Sequence, residues 1–191
     1  MGREKQIPDE QIVELYWQRS ESALSETAVK YGDYCRYIAY NILYSREDAE
    51  ECVNDTYLDA WNSMPPHRPS ILSTFLGKIT RRISLDRWRR KHADKRGGGE
   101  MDLVFDELED CIADGGNTES AMEQQEMARI IREFLDSLPA AERRVFLRRY
   151  WYMDSIAGIA LDFDFTESKT ASMLYRTRQK LRAKLESEGY M

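Results

Sequence analysis

The basic stretch that decides the fold of this chain reads Lys78-Ile-Thr-Arg-Arg-Ile-Ser-Leu-Asp-Arg-Trp-Arg-Arg-Lys-His-Ala-Asp-Lys-Arg96. It concentrates positive charge in a protein of 191 residues whose formal net charge is −6. Ile79 and Ile83 recur at helical spacing, so the stretch is predicted to form an amphipathic helix and not a disordered tail. Guanidinium and ammonium groups neutralise phosphates, and the Trp88 indole offers a face on which an unpaired base can stack. The stretch therefore indicates a helix that binds nucleic acid. The alternatives are a basic face that is merely solvated and a Trp88 side chain that packs in the core.

Helical periodicity dominates on both sides of this stretch, and no alternating strand pattern is convincing. Ser45 is predicted to cap a helix from about Arg46 to Ser63, and the prolines from Pro65 to Pro69 end it because proline cannot continue a helix. The positions expected to be buried on that helix are Ala49, Val53, Thr56, Ala60 and Met64. On the preceding helix, Ser22 to Tyr44, they are Leu24, Ala28, Tyr31, Cys35, Ile38 and Ile42.

A break in composition divides the chain into two parts. The stretch from Gly97 to Ala128 contains no lysine or arginine and is dominated by acidic and small residues. Such a stretch is typical of an interdomain linker. We therefore expect an all-α protein of two small helical domains, residues 1–96 and 126–191, joined by a flexible acidic linker at residues 97–125.

Several classes of protein are not indicated by the sequence. No apolar run approaches the roughly 20 residues that span a bilayer, and no secretory signal is evident, so we expect a cytoplasmic protein without membrane insertion. Cys35, Cys52 and Cys111 are too few and too scattered for a disulfide framework. His67 and His92 lack partners at metal-binding spacing, and there is no P-loop or nucleophile motif. We expect no catalytic residue, no metal, no cofactor and no enzymatic activity.

The C-terminal part contains a pattern typical of a helix-turn-helix. Ser155 to Phe163 is predicted to be a short helix, Asp164-Phe165 a turn, and Thr166 the N-cap of a helix that runs to about Leu185. Two helices joined by so tight a turn suit docking in a DNA major groove, although similar hairpins also occur in purely structural settings. The residues expected to reach DNA are Thr166, Glu167, Ser168, Lys169, Ser172, Arg176 and Arg178.

The order of these segments resembles one family, the extracytoplasmic-function type of bacterial RNA polymerase sigma factor. The helix from Arg46 to Asn62 looks like the polymerase-binding helix of the family's region 2. Phe75 to Lys91 is similar to the following helix, which opens and reads the minus-ten element of a promoter. Leu135 to Tyr150 and Ser155 to Leu185 resemble region 4, which reads the minus-thirty-five element.

The resemblance implies a transcription initiation factor that binds core RNA polymerase and directs it to promoter DNA. The implied polymerase contacts are the β′ clamp helices and the β flap, an anti-sigma protein is a further candidate partner, and the free chain is expected to be a monomer. Two alternatives stay open: a stand-alone helix-turn-helix regulator, and a degenerate sigma-like protein that binds DNA or polymerase without directing initiation.

The predicted polymerase-binding helix carries a row of acidic residues. Glu47, Glu51 and Asp55 lie at i, i+4 and i+8, with Asp48 and Asp59 nearby. Like charges at this spacing cost about 0.2–0.5 kcal/mol per pair, so helix stability does not explain them. A basic partner does, and the resemblance implies that this partner is the pair of clamp helices. An ordinary solvated acidic face is the alternative.

The basic helix suits the capture of melted DNA. Melting loses about 1.4 kcal/mol of stacking per base-pair step, and stacking of captured bases can offset this by about 1–3 kcal/mol per base. The residues assigned to the minus-ten element are Lys78, Arg81, Arg82, Arg87, Trp88, Arg89 and Arg90.

The chain departs from the family's pattern at a few positions. Arg82 stands where asparagine is usual, which exchanges a donor-acceptor for a charged donor. Asp164 replaces the usual turn glycine, Thr170 replaces an apolar core residue, and Ala171 takes a position often held by lysine. Gly158 costs a helix about 1 kcal/mol relative to alanine. The departures at Gly158, Asp164, Thr170 and Ala171 predict a region 4 that is less stable, or that binds DNA more weakly, than is typical.

Overall fold

The computed structural model describes residues 7–92, 103–104, 107 and 121–190. Within these ranges it contains eight helices and no strand, which confirms the predicted all-α fold. The helices are α1 Asp9–Trp17, α2 Ser22–Leu43, α3 Arg46–Ser63, α4 Leu72–His92, α5 Ala121–Ser137, α6 Ala140–Tyr150, α7 Ile156–Phe163 and α8 Glu167–Ser187.

The contacts divide the chain into two compact units, the first comprising residues 1–96 and the second residues 97–191. Helix α5 begins at Ala121, inside the stretch that the sequence assigned to a linker. Val104, in the same stretch, is fully buried. The domain bounds 1–96, 97–125 and 126–191 stay a prediction, because most of residues 97–125 lie outside the described ranges.

The first unit packs α2, α3 and α4 around one apolar core that α1 closes at one end. Helix α3 begins at a capped residue, since the Ser45 side chain accepts a hydrogen bond from the Asp48 backbone N–H at 3.3 Å. All five positions predicted to be buried on α3 are buried, which confirms its inward face. One hydrogen bond between α3 and α4 crosses this core, in which Thr56 Oγ1 donates to Thr80 Oγ1 at 3.2 Å.

On α2 the predicted stripe is partly wrong. Cys35, Ile38 and Ile42 are fully buried, but Ala28 is exposed. The neighbouring Thr27 takes the inward position because its hydroxyl pairs with the buried Tyr16 hydroxyl at 2.9 Å. A hydrogen-bond partner on another helix therefore explains why a polar residue lies in the core. The thiols of Cys35 and Cys52 are free and buried, whereas Cys111 lies outside the described residues.

The second unit packs α5, α6 and α7 against the long helix α8. Phe134, Phe146 and Tyr150 form an aromatic cluster, in which the Phe134 and Phe146 rings meet edge to face and the Phe146 and Tyr150 ring centroids lie 4.6 Å apart. Leu174 and Leu181 of α8 and Ile159 of α7 are also buried, and α7 packs directly against α8.

Candidate nucleic-acid and protein interfaces

The five acidic side chains of α3 that were predicted to bind polymerase fall into two groups. Glu47 and Asp55 are exposed, and no ion pair is recorded for either of them within the described residues. The Asp48 side chain is only 17% exposed and that of Asp59 only 32%. Glu51 belongs partly to each group, because its carboxylate is exposed to solvent and also pairs with Arg87. The sequence placed all five in one set, and the structure separates them.

The inward-turned acids pair with the basic helix α4. Lys91 Nζ lies 2.5 Å from Asp48 Oδ2, and Arg87 Nη1 lies 3.4 Å from Asp48 Oδ1. Arg82 pairs with Asp59. These pairs join residues that are 23 to 43 positions apart in the sequence. The predicted polymerase-binding helix and the predicted minus-ten helix are therefore electrostatically joined to one another.

Helix α4 has one exposed basic face. Lys78, Arg82 and Arg89 recur at i, i+4 and i+11, which places them on the same side of a helix, and all three are exposed. Arg90 is also exposed, about a quarter of a turn round the helix from Arg89. This face meets the requirement for a cationic surface that can follow a phosphate backbone.

Two arginines and the tryptophan of the predicted minus-ten set are not on this face. Arg81 is half-buried, and burial lowers the pKa of its guanidinium to about 10. Arg87 turns towards α3, where it donates to Glu51 and Asp48. Trp88 is half-buried, which leaves only part of its ring surface for a base.

Helix α1 holds the proline-rich segment that precedes α4, a role that sequence reasoning missed. Trp17 Nε1 donates to the His67 carbonyl at 3.3 Å, and the Arg68 guanidinium carbon lies 5.3 Å from the centroid of the Trp17 ring. Arg68 also pairs with Glu14 at 2.7 Å. Helical periodicity gave no signal for these contacts, because they join residues 50 and 54 positions apart in the sequence.

The helix-turn-helix is built from two capped helices. The Ser155 side chain accepts from Gly158 N–H at the start of α7, and that of Thr166 accepts from Lys169 N–H at the start of α8. Between them Asp164 adopts the left-handed conformation, with φ 53° and ψ 45°. Aspartate visits this region more readily than most residues, so the turn is kept without the usual glycine. The predicted helix, turn and cap are all confirmed.

The outer face of α8 carries most of the predicted minus-thirty-five residues. Thr166, Glu167, Ser168, Lys169, Ser172 and Arg176 are exposed. The Lys169 ammonium lies 3.6 Å from the centroid of the Phe165 ring, a cation–π contact that restrains it at the start of the helix. Arg178 is different, because its side chain is 13% exposed and donates to the Tyr150 hydroxyl at 2.7 Å. The structure thus places Arg178 in the packing of the unit.

Two of the unusual residues of this unit have a local explanation. Thr170 is fully buried, and its hydroxyl donates to the Thr166 carbonyl at 3.1 Å, so no polar group is left without a partner. A Cβ at Gly158 would lie 3.2 Å from Ser155 Oγ, close to the atom that caps α7. The glycine therefore leaves room for the cap.

The described part of the chain has neither a membrane-spanning helix nor a metal-binding cluster. No helix there is both long enough and apolar enough to cross a membrane. No cluster of three or more His, Cys, Asp or Glu side chains there is arranged to hold a metal ion. The surfaces that remain are the acidic row of α3, the basic face of α4 and the outer face of α8.

Comparison with known proteins matches the two units separately. The family model described as Sigma-70 region 2 matches residues 28–93, and the one described as Sigma-70, region 4 matches residues 128–181. The chain is also similar to the ECF RNA polymerase sigma factor SigE of Mycolicibacterium smegmatis, with 24% identity over 163 residues. That similarity covers 82% of this chain and 59% of the relative, so the chain spans less than two thirds of the relative's length.

Proposed function

This chain belongs to the sigma-70 family of RNA polymerase sigma factors and carries regions 2 and 4 in the manner of the extracytoplasmic-function type, and we propose that it binds core bacterial RNA polymerase and directs it to specific promoters. The observation that carries the proposal is the presence, in one chain, of an exposed acidic row on α3, an exposed basic face on α4 and a capped helix-turn-helix. Sigma factors are transcription factors and not enzymes, so no catalytic residue is assigned.

The polymerase-binding surface in this proposal is the exposed acidic row of α3. Glu47 and Asp55 form it, together with the solvent-facing part of Glu51. Their mutual repulsion is tolerated in the free protein and is relieved when a basic surface approaches, which favours association with clamp helices of opposite charge. Because these carboxylates are exposed, the association should weaken as salt concentration rises.

The minus-ten element is assigned to the basic face of α4. Lys78, Arg82 and Arg89 supply positive charge along one side of the helix, and the exposed Arg90 adds charge next to it. Extruded bases need an aromatic or planar face as well as charge, and the exposed part of Trp88 supplies one. The Arg82 guanidinium is held by Asp59, which fixes its direction on this face.

The minus-thirty-five element is assigned to the first turns of α8. Ser168, Lys169 and Ser172 lie where base edges in a major groove become reachable from a recognition helix. Thr166 and Glu167 begin the helix beside the DNA backbone, and Arg176 follows two turns later for a phosphate. Arg178 supports this helix from within and is left out of the contact set.

Three finer assignments follow from family membership. Region 4 would contact the β flap, the acidic stretch from residue 97 would follow the positively charged path through the polymerase, and an anti-sigma protein is a candidate regulator. We propose these with the free chain as a monomer. Sedimentation of the purified chain tests the last point, since a stable dimer would favour a stand-alone regulator.

Comparison of promoter binding with and without core polymerase tests the proposal. The free chain has a formal net charge of −6, which opposes unassisted binding to phosphates, so we expect weak binding alone and specific binding by the holoenzyme. Tight binding of the isolated chain to a palindrome would support the stand-alone regulator. Association with polymerase but no promoter preference would support the degenerate sigma-like protein.

A further inference from the structure

The Asp48 carboxylate is turned away from the surface that polymerase would reach. Asp48 occupies the third position of α3, one residue after the exposed Glu47. Its side chain is 17% exposed, and both of its oxygens are engaged by α4: Oδ2 by Lys91 at 2.5 Å and Oδ1 by Arg87 at 3.4 Å. The Asp48 carbonyl accepts a further contact from Arg87 Nη1 at 3.5 Å. A second chain could reach this carboxylate only by displacing its partners.

The two partners lie one helical turn apart near the end of α4. Arg89 and Arg90 stand between Arg87 and Lys91 in the sequence and are exposed; Arg89 pairs with Asp86 at 3.7 Å, and Arg90 Nε donates to the Asp86 carbonyl at 3.2 Å. Within residues 85–91 no side chain is fully buried, in contrast to Leu72 and Leu76 earlier in the helix. With no fully buried side chain in this stretch, its position against α3 depends on the contacts that Arg87 and Lys91 make.

The charges of this contact favour a fixed arrangement. The hydrogen bond from Lys91, and after it that from Ser45, lowers the pKa of Asp48 below its ordinary value, so the carboxylate is ionised at neutral pH. Arg87 is shared with Glu51, which makes a network of two acids and two bases and not an isolated surface pair. Isolated exposed pairs contribute little, whereas a network of this kind restrains several side chains at once.

We propose that Asp48 is a positioning residue for α4: through Arg87 and Lys91 it fixes the turn from Arg87 to Lys91 so that Arg89 and Arg90 face the separated promoter strand, and it makes no contact with polymerase. The inference rests on the proposed function, because it assigns one acid of α3 to promoter opening and leaves core binding to Glu47 and Asp55. It also predicts that Lys91, absent from the DNA-binding residues inferred from the sequence, matters for opening.

A pair of isosteric substitutions separates the two roles. Asp48→Asn and Glu47→Gln each remove one negative charge from the first turn of α3, so their effects on the helix dipole are matched. We would reconstitute each variant with core polymerase and measure the dissociation constant of the holoenzyme. We would then measure the rate of opening of a duplex promoter from the fluorescence of 2-aminopurine in the minus-ten element, at saturating holoenzyme.

The proposal expects opposite responses. Asp48→Asn should leave the dissociation constant for core polymerase within about twofold and slow opening roughly tenfold, as a coupling of about 1.4 kcal/mol would. Glu47→Gln should weaken core association and leave the opening rate of the saturated holoenzyme unchanged. If Asp48→Asn weakens core association like Glu47→Gln, or changes neither quantity, the proposal is overturned.

A partner variant guards against simple misfolding. Lys91→Gln removes the same bridge from its exposed end, and it should slow opening by a similar factor. The double variant should be no slower than either single one, because both remove one interaction. Additive defects would contradict a role that acts through Lys91. Lack of promoter-specific transcription by the wild-type holoenzyme would instead reject the proposed function and leave the Asp48 bridge as a structural contact.

Discussion

The Glu107 carboxylate forms a two-point ion pair with Arg149, with Oε1 2.9 Å from Nη2 and Oε2 3.1 Å from Nε. Arg149 is fully buried, and its remaining nitrogen Nη1 donates to the Asp154 carbonyl at 3.1 Å. The Tyr150 hydroxyl donates to the same carboxylate at 2.8 Å. One residue of the acidic stretch is therefore part of the interior of the second unit, and it neutralises a guanidinium that could not otherwise remain there.

Replacement of Glu107 should destabilise the second unit. Removal of one partner from a buried ion pair leaves an uncompensated charge, so Glu107→Gln is expected to lower the free energy of unfolding by about 3 kcal/mol. Urea unfolding followed by circular dichroism measures this change. Asp136→Asn is the control, because Asp136 is an exposed acid of the same unit whose side chain is 71% exposed. Equal stability of the two variants would contradict a structural role for Glu107.

The pH dependence of stability should report the same contact. Burial acts to raise the pKa of Glu107, but donation from Arg149 and Tyr150 outweighs it, so the net effect lowers the pKa below its ordinary value. The ionised carboxylate therefore stabilises the fold above the unfolded-state pKa of about 4.3, and this stabilisation is lost as the pH falls through the lower folded-state value. Urea midpoints from neutral pH down to pH 3 should fall more steeply for the wild type than for Glu107→Gln. Parallel curves would show that another group dominates.

Much of this architecture could be predicted from the sequence because it depends on local patterns. The buried face of α3 follows from 3.6-residue periodicity, and the caps at Ser45 and Thr166 follow from residue type and position. The bridge from Asp48 to Lys91 could not be predicted, because it joins residues 43 positions apart whose proximity depends on the packing of two helices. The acidic residues of α3 were therefore predicted to form one surface, whereas the structure divides them between an exposed row and a contact with α4.

Arg178 shows a second reason why a prediction from the sequence failed. It lies four residues after Leu174 and three before Leu181, both buried, so helical periodicity alone places it beside the inward face of α8. Sequence reasoning gave its charge more weight than its position. Its partners, Tyr150 and Glu107, come from distant parts of the chain and carried no signal of their own.

Reversal of the exposed acids of α3 should abolish association with polymerase. The double variant Glu47→Lys, Asp55→Lys replaces attraction to a basic surface with repulsion, and we expect the affinity for core enzyme to fall by at least roughly tenfold. The helical circular dichroism should stay the same, since both side chains are exposed. Glu10→Lys, Glu21→Lys, at two exposed acids of the same unit, is the control that matches the change in net charge. Unimpaired association would leave the acidic row as a solvated face.

The two DNA-contacting surfaces should fail at different steps. Lys169→Ala should weaken recognition of the duplex upstream element by about 1–3 kcal/mol if Lys169 contacts a base. Arg89→Ala should impair strand separation more than initial binding. A template with a premelted bubble at the minus-ten position should therefore rescue Arg89→Ala and not Lys169→Ala.

Lys184→Ala provides the control for these two variants, because Lys184 lies near the end of α8 and pairs with Glu188. It should behave like the wild type on both templates. Equal rescue of Arg89→Ala and Lys169→Ala by the bubble would mean that the division of roles between α4 and α8 is mistaken.

Run-off transcription with purified core polymerase, followed by mapping of the start sites, tests the central claim most directly. The account predicts that addition of this chain produces discrete starts, each preceded by a shared pair of sequence elements, and that core enzyme alone produces none of them. Transcription that starts no more selectively with the chain than without it would contradict the account, even if the chain associates with polymerase.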